Sequence, residues 1–397
     1  MYLLVHYNEI ALKGKNRGYF EKKLAENIKK AIKGSYEQTE RPYGRITAKL
    51  NSSADIEFIK KTISEVPGIS WFAFAECIES NIDKIKEEAS KILYKKETEL
   101  RAIEKTLKTY KVSVKRADKK FPLTSQEATL EVADYIHQIH PMKADMKNPE
   151  LEICVEITNK GTFIFSEKIR GSPGLPVGSS GKVLVLLSGG IDSAVAAYMV
   201  MKRGCRCEFL HFYAGRSGAE VMGSKINEIV KSLNKYARSS LIHTIPYHNF
   251  ALEHVPDKLD VILFRRFMVR IAEKIAIQNN CKAIVLGDAI GQVASQTLEN
   301  IANLEGIISL PILRPLLTYD KNDIIKVAKE IETYDMSIKE YKDCCSIISR
   351  RPSTAASLEK IKEAEASIDM EKLVGKTLEQ EEKFIIKQDE TKKVQAQ

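Results

Sequence analysis

The sequence predicts an α/β protein in two parts, an α+β amino-terminal portion followed by a doubly wound parallel-sheet domain. Three observations predict it. Lys182 to Gly204, KVLVLLSGGIDSAVAAYMVMKRG, reads as a buried strand, a glycine turn and a helix in immediate succession. Beyond it, short apolar runs alternate with segments of helical period, the pattern of parallel strands joined by crossover helices. Before it, strands and amphipathic helices are mixed, and Gly171 to Gly181, GSPGLPVGSSG, separates the two regions with the Gly, Pro and Ser density of a linker.

Composition bounds the answer further. At 397 residues the chain is long enough for two or three domains with a sizeable core. The formal charge is +9, and residues 1–180 hold 31 Lys and Arg against 25 Asp and Glu, so the amino-terminal part is the more basic one. An excess of this size permits nucleic-acid binding without demonstrating it, because many basic surfaces are only solvated faces. No stretch reads as a signal peptide or as an apolar run of membrane-spanning length. Seven cysteines without framework spacing fit a reducing compartment. A soluble, cytoplasmic protein without membrane contact is expected.

Taken in order, Tyr2 to Tyr7 is a short strand and Asn8 to Arg17 a basic connection. Phe20, Leu24, Ile28 and Ala31 then recur at helical spacing with lysines opposite, which predicts a helix over 19–32. Residues 42–50 read as a strand and Ile56 to Ser64 as a helix. Gly68 to Ala75 is an apolar strand holding the only tryptophan, Trp71, which is most simply core. Ile82, Ile85, Ala89, Ile92 and Leu93 mark the inner face of a helix over 81–93. From Tyr110 to Arg116 strict alternation puts Tyr110, Val112 and Val114 on one side of a strand and lysines on the other. With Lys119 and Lys120 in the following loop, Lys115 and Arg116 form the strongest nucleic-acid candidate by charge alone. Residues 153–157 and Phe163 to Ile169 extend the same sheet.

After the linker, Val183 to Leu187 is continuously apolar, as a parallel strand covered on both faces should be. Val195, Tyr198 and Met199 continue as a helix that Lys202, Arg203 and Gly204 close. Cys207 to Phe212, Ser240 to Ile245 and Ala283 to Leu286 supply further strands, with helices over 226–233 and over 267–277, the latter opened by Arg265 and Arg266. Ligands of such a sheet bind at the carboxyl ends of its strands. The tail from Ala355 to Gln397 reads as charged and helical.

The first of those strand ends carries the chemistry. Ser188-Gly189-Gly190-Ile191-Asp192-Ser193 joins a strand to a helix N-terminus, and free backbone N–H groups there hold phosphate without a cation. The glycines let the backbone approach the anion, Ser188 and Ser193 offer hydroxyls, and Asp192 is placed to hold Mg2+ bridging phosphates. No lysine follows the glycines, so this is not a Walker A loop. The bland alternative is an ordinary glycine turn with Asp192 as a solvated first-turn acid.

The hexamer resembles the SGGxDS loop of the PP-loop (HUP-like) ATP pyrophosphatases, which split ATP to AMP and pyrophosphate while adenylating a substrate. EIALKGKNRGYFEKKL is similar to the ferredoxin-like domain of the 4-thiouridine synthetases, the tRNA sulfurtransferases of that group, and GLPVG before the PP-loop strand is similar to theirs. KVSVKRADKKFPLTS, a helix and NPELEICVEI resemble the RNA-binding THUMP domain. Together these imply a ferredoxin-like domain over 1–55, a THUMP domain over 56–170, a linker over 171–181 and a PP-loop domain with a helical tail over 182–397.

The resemblance also assigns residues. Leu186, Leu187, His211, Phe212, Arg265, Gly287 and Gln296 would line the ATP site, Gly287 admitting the adenine and Gln296 hydrogen-bonding it. Read alone, His211 is more often a packed core histidine, and only its place at a strand's end raises it. Lys13, Lys15, Asn16 and Arg17, with Lys115, Arg116, Lys119 and Lys120, would face tRNA, though any one of them is equally a solvated side chain. In Asp343-Cys344-Cys345-Ser346 a cysteine would carry sulfur, and counting back from Pro352 favours Cys345 over Cys344. Lys342, Arg350 and Arg351 would lower its pKa if the fold brings them close; the alternative is inert packing.

The sequence departs from the family pattern in places. Pro173 stands where a second glycine is usual and Ala289 where a Glu is usual. The chain ends without the rhodanese domain of many bacterial members. Val261 and Phe264 occupy the Cys-x-x-Cys positions that serve an iron–sulfur cluster in some archaeal members, and Cys205 with Cys207 is too small a set for zinc. Neither a cluster nor a zinc site is therefore expected. The sulfur donor stays open between a cysteine desulfurase, a separate rhodanese and sulfide, and a homodimer is compatible with the chain.

The expected activity is ATP-dependent adenylation of a tRNA uridine, at position 8 by the resemblance, followed by sulfur transfer to give 4-thiouridine. Sulfur transfer to a carrier protein for the thiamine thiazole, and a tRNA-binding module with a non-catalytic ATP site, are the alternatives.

Overall fold

The computed structural model describes residues 1–42, 44–341, 344, 348 and 353–394. The chain forms two compact units, one of Met1–Ser64 with Ile69–Pro173 and one of Glu65–Gly68 with Gly174–Gln397.

Among the described residues of the first unit, strands β1 (Tyr2–His6), β2 (Tyr36–Glu40), β3 (Arg45–Leu50), β4 (Trp71–Ile78), β5 (Thr109–Arg116), β6 (Lys143–Ala144), β7 (Leu151–Thr158) and β8 (Gly161–Phe165) form one sheet in the order β2-β3-β1-β4-β8-β7-β5-β6, with β9 (Ile169–Arg170) on β4. Alternation decides its faces. Ile153, Val155 and Ile157 turn toward Ile85, Ala89 and Leu93 of the helix Ile82–Arg101 and Ala128, Val132 and Ile136 of the helix Ser125–Ile139, whereas Cys154 packs with Leu4, Ala73, Ala75, Phe163 and Phe165. Caps fix where both helices start. Asn81 accepts from the Asp83 and Lys84 amides, and Thr124 forms a reciprocal capping box with Glu127.

Three local readings change. β2 is absent from the sequence reading because YEQTE is a polar edge strand with no apolar period. Glu9–Asn16 is wound into 3-10 turns, not an open connection. Trp71 is only half-buried and stacks on His6, ring centres 3.9 Å apart at 10°.

The second unit is doubly wound. Strands β10 (Lys182–Leu186), β11 (Arg206–Tyr213), β12 (Ser239–Pro246), β13 (Ile284–Val285), β14 (Ile312–Leu313), β15 (Glu382–Lys387) and β16 (Thr391–Lys393) run in the order β14-β13-β10-β11-β12-β15-β16. The first five in that order are parallel, and β15 and β16 close the edge antiparallel. Val183 and Val185 face the helices Ile191–Lys202 and Lys225–Ala237, while Leu184 faces the helix Asp260–Gln278 and the carboxy-terminal helices. The tail therefore contains strand as well as helix. In EKFIIK, Phe384 and Ile386 turn inward between lysines, a two-residue apolar signal too short to stand out in a charged segment. The helix expected to open at Arg265 begins at Asp260, which buries both Arg265 and Arg266.

Candidate active site

The loop between β10 and its helix is built on conformational necessity. Gly189 has φ +85°, in the left-handed region, and a side chain there would come within 2.6 Å of Ile226 Cδ1. Gly190 caps the helix from an extended conformation. Ser193 Oγ accepts from the Ser188 amide at 3.3 Å and donates to the Gly190 carbonyl at 3.2 Å, tying the two ends of the loop together.

Asp192 is held from two sides. Lys321 Nζ lies 2.7 Å from Oδ1, and Gln292 Nε2 donates to Oδ2 at 2.8 Å. Lys321 is the functional candidate that the sequence reading passes over. It opens the helix Lys321–Glu330, capped by Asp320, where the helix dipole disfavours a cation. That mismatch is the signal that could have singled it out.

A cavity of about 240 Å³ opens beside this loop at the carboxyl ends of β10, β11 and β13. Of the residues expected at the nucleotide, Leu186, Leu187, Ser188, Asp192, Ser193, Phe212, Arg265, Gly287 and Gln296 line it. Gly189 and Gly190 shape the turn beside it. Leu210, Met268, Leu286 and Val293 add an apolar wall, to which Val261 and Phe264, the positions of the absent Cys-x-x-Cys, also belong.

His211 is a correction. It is fully buried and does not line this cavity. Its Nδ1–H donates to the Leu187 carbonyl at 2.6 Å and its Nε2 accepts from the Tyr341 hydroxyl at 2.8 Å. Burial pushes its pKa down to about 4, so it is a neutral ring that fixes the strand end. Arg265 likewise does more than line a wall. Its Nη2 meets both carboxylate oxygens of Asp288 at 2.7 Å, and Arg314 Nε donates to the same carboxylate at 3.2 Å. Gly287 has its own reason to be glycine, since a Cβ would lie 2.8 Å from the Ser193 nitrogen and 2.9 Å from the Asp192 carbonyl carbon.

Cys344 lines the cavity, buried, with Sγ 3.3 Å from the Phe212 carbonyl oxygen. Cys345, together with Lys342, Asp343, Ser346, Arg350, Arg351 and Pro352, lies outside the described residues. Cys154 is buried in the first unit, and burial pushes its thiol up to about 11.

The RNA candidates divide by their partners. Lys15, Lys115, Lys119 and Lys120 are exposed, as is Asn16. Lys13 reaches Glu9 at 3.5 Å and lies over the Phe20 ring. Arg17 is engaged by Glu21 at 2.7 Å and Tyr7 at 2.9 Å, and Arg116 donates to the Phe121 and Leu123 carbonyls. Both arginines brace their own loops.

Known proteins match this architecture over its length. Residues 2–73 match the ThiI ferredoxin-like domain, 79–167 the THUMP domain and 178–370 the thiamine biosynthesis protein (ThiI) family. A probable tRNA sulfurtransferase of Acetivibrio thermocellus is 38% identical over 394 residues, covering 98% of this chain and 99% of its own. One from Brevibacillus brevis is 36% identical over 379 residues, covering 92% and 93%. The crystal structure of a 4-thiouridine synthetase–RNA complex with bound ATP superposes with a TM-score of 0.86 at 31% identity, covering 97% of this chain and 99% of that one. With the phosphate loop, the cavity and a cysteine at its wall in one unit and a THUMP domain in the other, this chain belongs to the ThiI family of tRNA sulfurtransferases.

Proposed function

We propose that this chain is an ATP-dependent tRNA sulfurtransferase that adenylates a tRNA uridine and replaces its O4 with sulfur. The observation that carries the reading is the Asp192–Lys321 pair set on the Ser188–Ser193 loop at the wall of a cavity that also holds Cys344. The nucleoside of ATP fills that cavity and its phosphates lie on the loop N–H groups, with Lys321 neutralising their charge. Asp192 would hold Mg2+, which when bound screens the phosphates and favours departure of pyrophosphate. Its two carboxylate oxygens now take the Lys321 ammonium and the Gln292 amide N–H, so Asp192 would offer the ion one oxygen by giving up one of these contacts, and the phosphates the rest.

Adenylation turns O4, a poor leaving group, into AMP, a good one. Sulfur carried as a persulfide on Cys345 then attacks C4 and AMP departs. A second thiol releases the sulfur by forming a disulfide that a reductant must reopen, and Cys344 is the candidate for it. Lys15, Lys115, Lys119 and Lys120 hold tRNA phosphates without reading sequence. The donor to Cys345 is a cysteine desulfurase or a separate rhodanese, each of which hands over sulfur already at the persulfide level; sulfide, with no oxidant to make a persulfide of it, would bypass Cys345 and attack C4 of the adenylate itself.

The test follows pyrophosphate release and 4-thiouridine absorbance on unmodified tRNA with ATP, Mg2+ and a persulfide donor, a cysteine desulfurase with cysteine, and in parallel with sulfide alone. Wild type should give both products, and Asp192→Ala should lose both while retaining tRNA binding. Cys345→Ser that still thiolates with the persulfide donor would remove the cysteine from the scheme, whereas its thiolation with sulfide alone is expected, because sulfide attacks the adenylate directly. Pyrophosphate release absent from wild type would favour a tRNA-binding module with a non-catalytic ATP site. The family's thiamine description favours a second reading, sulfur transfer to a carrier protein, which tRNA-independent transfer of sulfide would support.

A further inference from the structure

A second cavity, of about 520 Å³, lies at the end of β11. Tyr213, Arg216, Ser217, Glu220 and Tyr341 are among its walls. Successive residues of a strand point to opposite faces, so Phe212 opens on the nucleotide cavity and Tyr213 on this one. Tyr341, in the wall of the second space, links it to the phosphate loop. A Cβ on Gly189 would lie 3.9 Å from the Tyr341 ring, and the Tyr341 hydroxyl connects through His211 to the Leu187 carbonyl, in the wall of the nucleotide cavity. Tyr341 is also three residues from Cys344. A nucleoside-sized space on one face of the sheet is therefore matched by a larger, tyrosine-walled space on the other, with Tyr341 against the phosphate loop.

We infer that this second cavity receives the acceptor uracil, drawn out of the RNA stack, with Tyr213 and Tyr341 flanking the base and Glu220 reading its N3–H. The inference rests on the sulfurtransferase reading above. Chemistry on a base requires the base to leave its stack for a pocket, and extruded bases are held by aromatic faces and by hydrogen bonds to the Watson–Crick edge. The nucleotide fills the first cavity, so the acceptor must reach the α-phosphate from another side, and Tyr341 of this cavity's wall lies against Gly189 of the loop. Its volume falls in the usual range for small-molecule sites, about 300–1,000 Å³.

Glu220 supplies the discrimination. Its Oε2 accepts from the Arg216 amide at 3.0 Å, which fixes the carboxylate in the cavity wall. A carboxylate accepts from the N3–H of uracil, a donor that cytosine lacks at that position. In the adenylation step O4 forms a bond to the α-phosphorus, and the bond from that phosphorus to the bridging oxygen breaks with its electrons leaving on pyrophosphate. The N3 proton passes to Glu220 and on to solvent, leaving a C4-activated ring.

The test uses the full chain. tRNA carrying 4-thiouridine at the position that the wild-type enzyme modifies cross-links to adjacent side chains under near-ultraviolet light, and mass spectrometry locates the bond. Cross-links within residues 213–221 or at Tyr341 are expected. In parallel, Glu220→Gln, an isosteric change at an exposed position, should keep ATP and tRNA affinities within about twofold but lower tRNA-dependent pyrophosphate release about tenfold or more. Wild type that makes no 4-thiouridine overturns the parent reading and this one with it. Wild type that does, with cross-links confined to residues 1–173 or with Glu220→Gln unimpaired, overturns this one alone. Pyrophosphate release undiminished in Glu220→Gln while thiolation is lost would give the cavity to the sulfur donor and overturn it too.

Discussion

At the scale of single residues, the arrangement around Asp192 separates binding from chemistry. A carboxylate at the phosphate loop would repel the nucleotide unless a cation stood beside it, and Lys321, 129 residues on in the chain, stands 2.7 Å away. Lys321→Met removes that charge while keeping a side chain of similar length. We expect kcat/KM for ATP in tRNA-dependent pyrophosphate release to fall about 10²-fold or more, the usual cost of deleting one preorganised charge partner, with tRNA affinity unchanged in a filter-binding assay. A fall of less than about threefold would mean that Lys321 merely holds Asp192 in place. The loop itself was legible from six letters because strand, glycines and helix start are contiguous. Lys321 was not, because a contact between residues so far apart in sequence leaves no local trace. His211 was ambiguous for a related reason: its position at a strand end is visible in the sequence, but the Tyr341 hydroxyl that fixes its tautomer comes from a distant loop.

At the scale of elements, two glycines in the second unit make opposite predictions from the same substitution. Gly287→Ala pushes a methyl group against backbone atoms of Ser193 and Asp192 that cannot rotate away. The first turn of the helix Ile191–Lys202 must shift, which should cost about 2 kcal/mol or more and raise KM for ATP. Gly375 lies inside the helix Met370–Leu378 with open space around it. Gly375→Ala should stabilise by about 0.5–1 kcal/mol and leave KM for ATP unaltered. Thermal unfolding with and without ATP distinguishes the two, and equal effects on stability would refute the close-approach argument at Gly287. Elements with a clear apolar period, such as the helix Ile56–Ser64 and strand β5, lie at or within a residue of where their period ends. β2 leaves no signal because an edge strand is stabilised by its neighbour's backbone groups, which its own sequence does not encode, and β15, between β12 and β16, leaves little because only Phe384 and Ile386 turn inward.

At the scale of the whole molecule, two buried histidines of the parallel-sheet unit should make stability peak between acid and alkaline limbs. His211 has its pKa lowered by burial from 6.5 to about 4. Between those values the unfolded chain binds a proton that the folded one refuses, so stability rises with pH by on the order of 3 kcal/mol across that window. His243 behaves oppositely. Burial alone would lower its pKa, but Glu208 at 3.4 Å and Glu381 at 2.5 Å outweigh burial and raise it above 6.5. Its contribution is complete below 6.5 and is lost as pH rises through the folded value. Glu208, buried, and Glu381, half-buried, are held below their usual 4.5 by His243 and by Lys182 and Lys383, so their contribution is lost only in stronger acid. The cluster ties β12 to β11 and to the residue just before β15, so its alkaline limb is a loosening of the carboxy-terminal edge of the sheet. Urea denaturation from pH 4 to 9 should show greatest stability near pH 6.5. His211→Gln should flatten the acid limb and His243→Gln the alkaline limb, the latter at a cost of about 2 kcal/mol at pH 6 for the two charged hydrogen bonds lost, since Lys182 and Lys383 still partner the carboxylates. An alkaline limb that survives in His243→Gln would show that the carboxy-terminal edge is held by its apolar pair, Phe384 and Ile386, and not by this charge cluster.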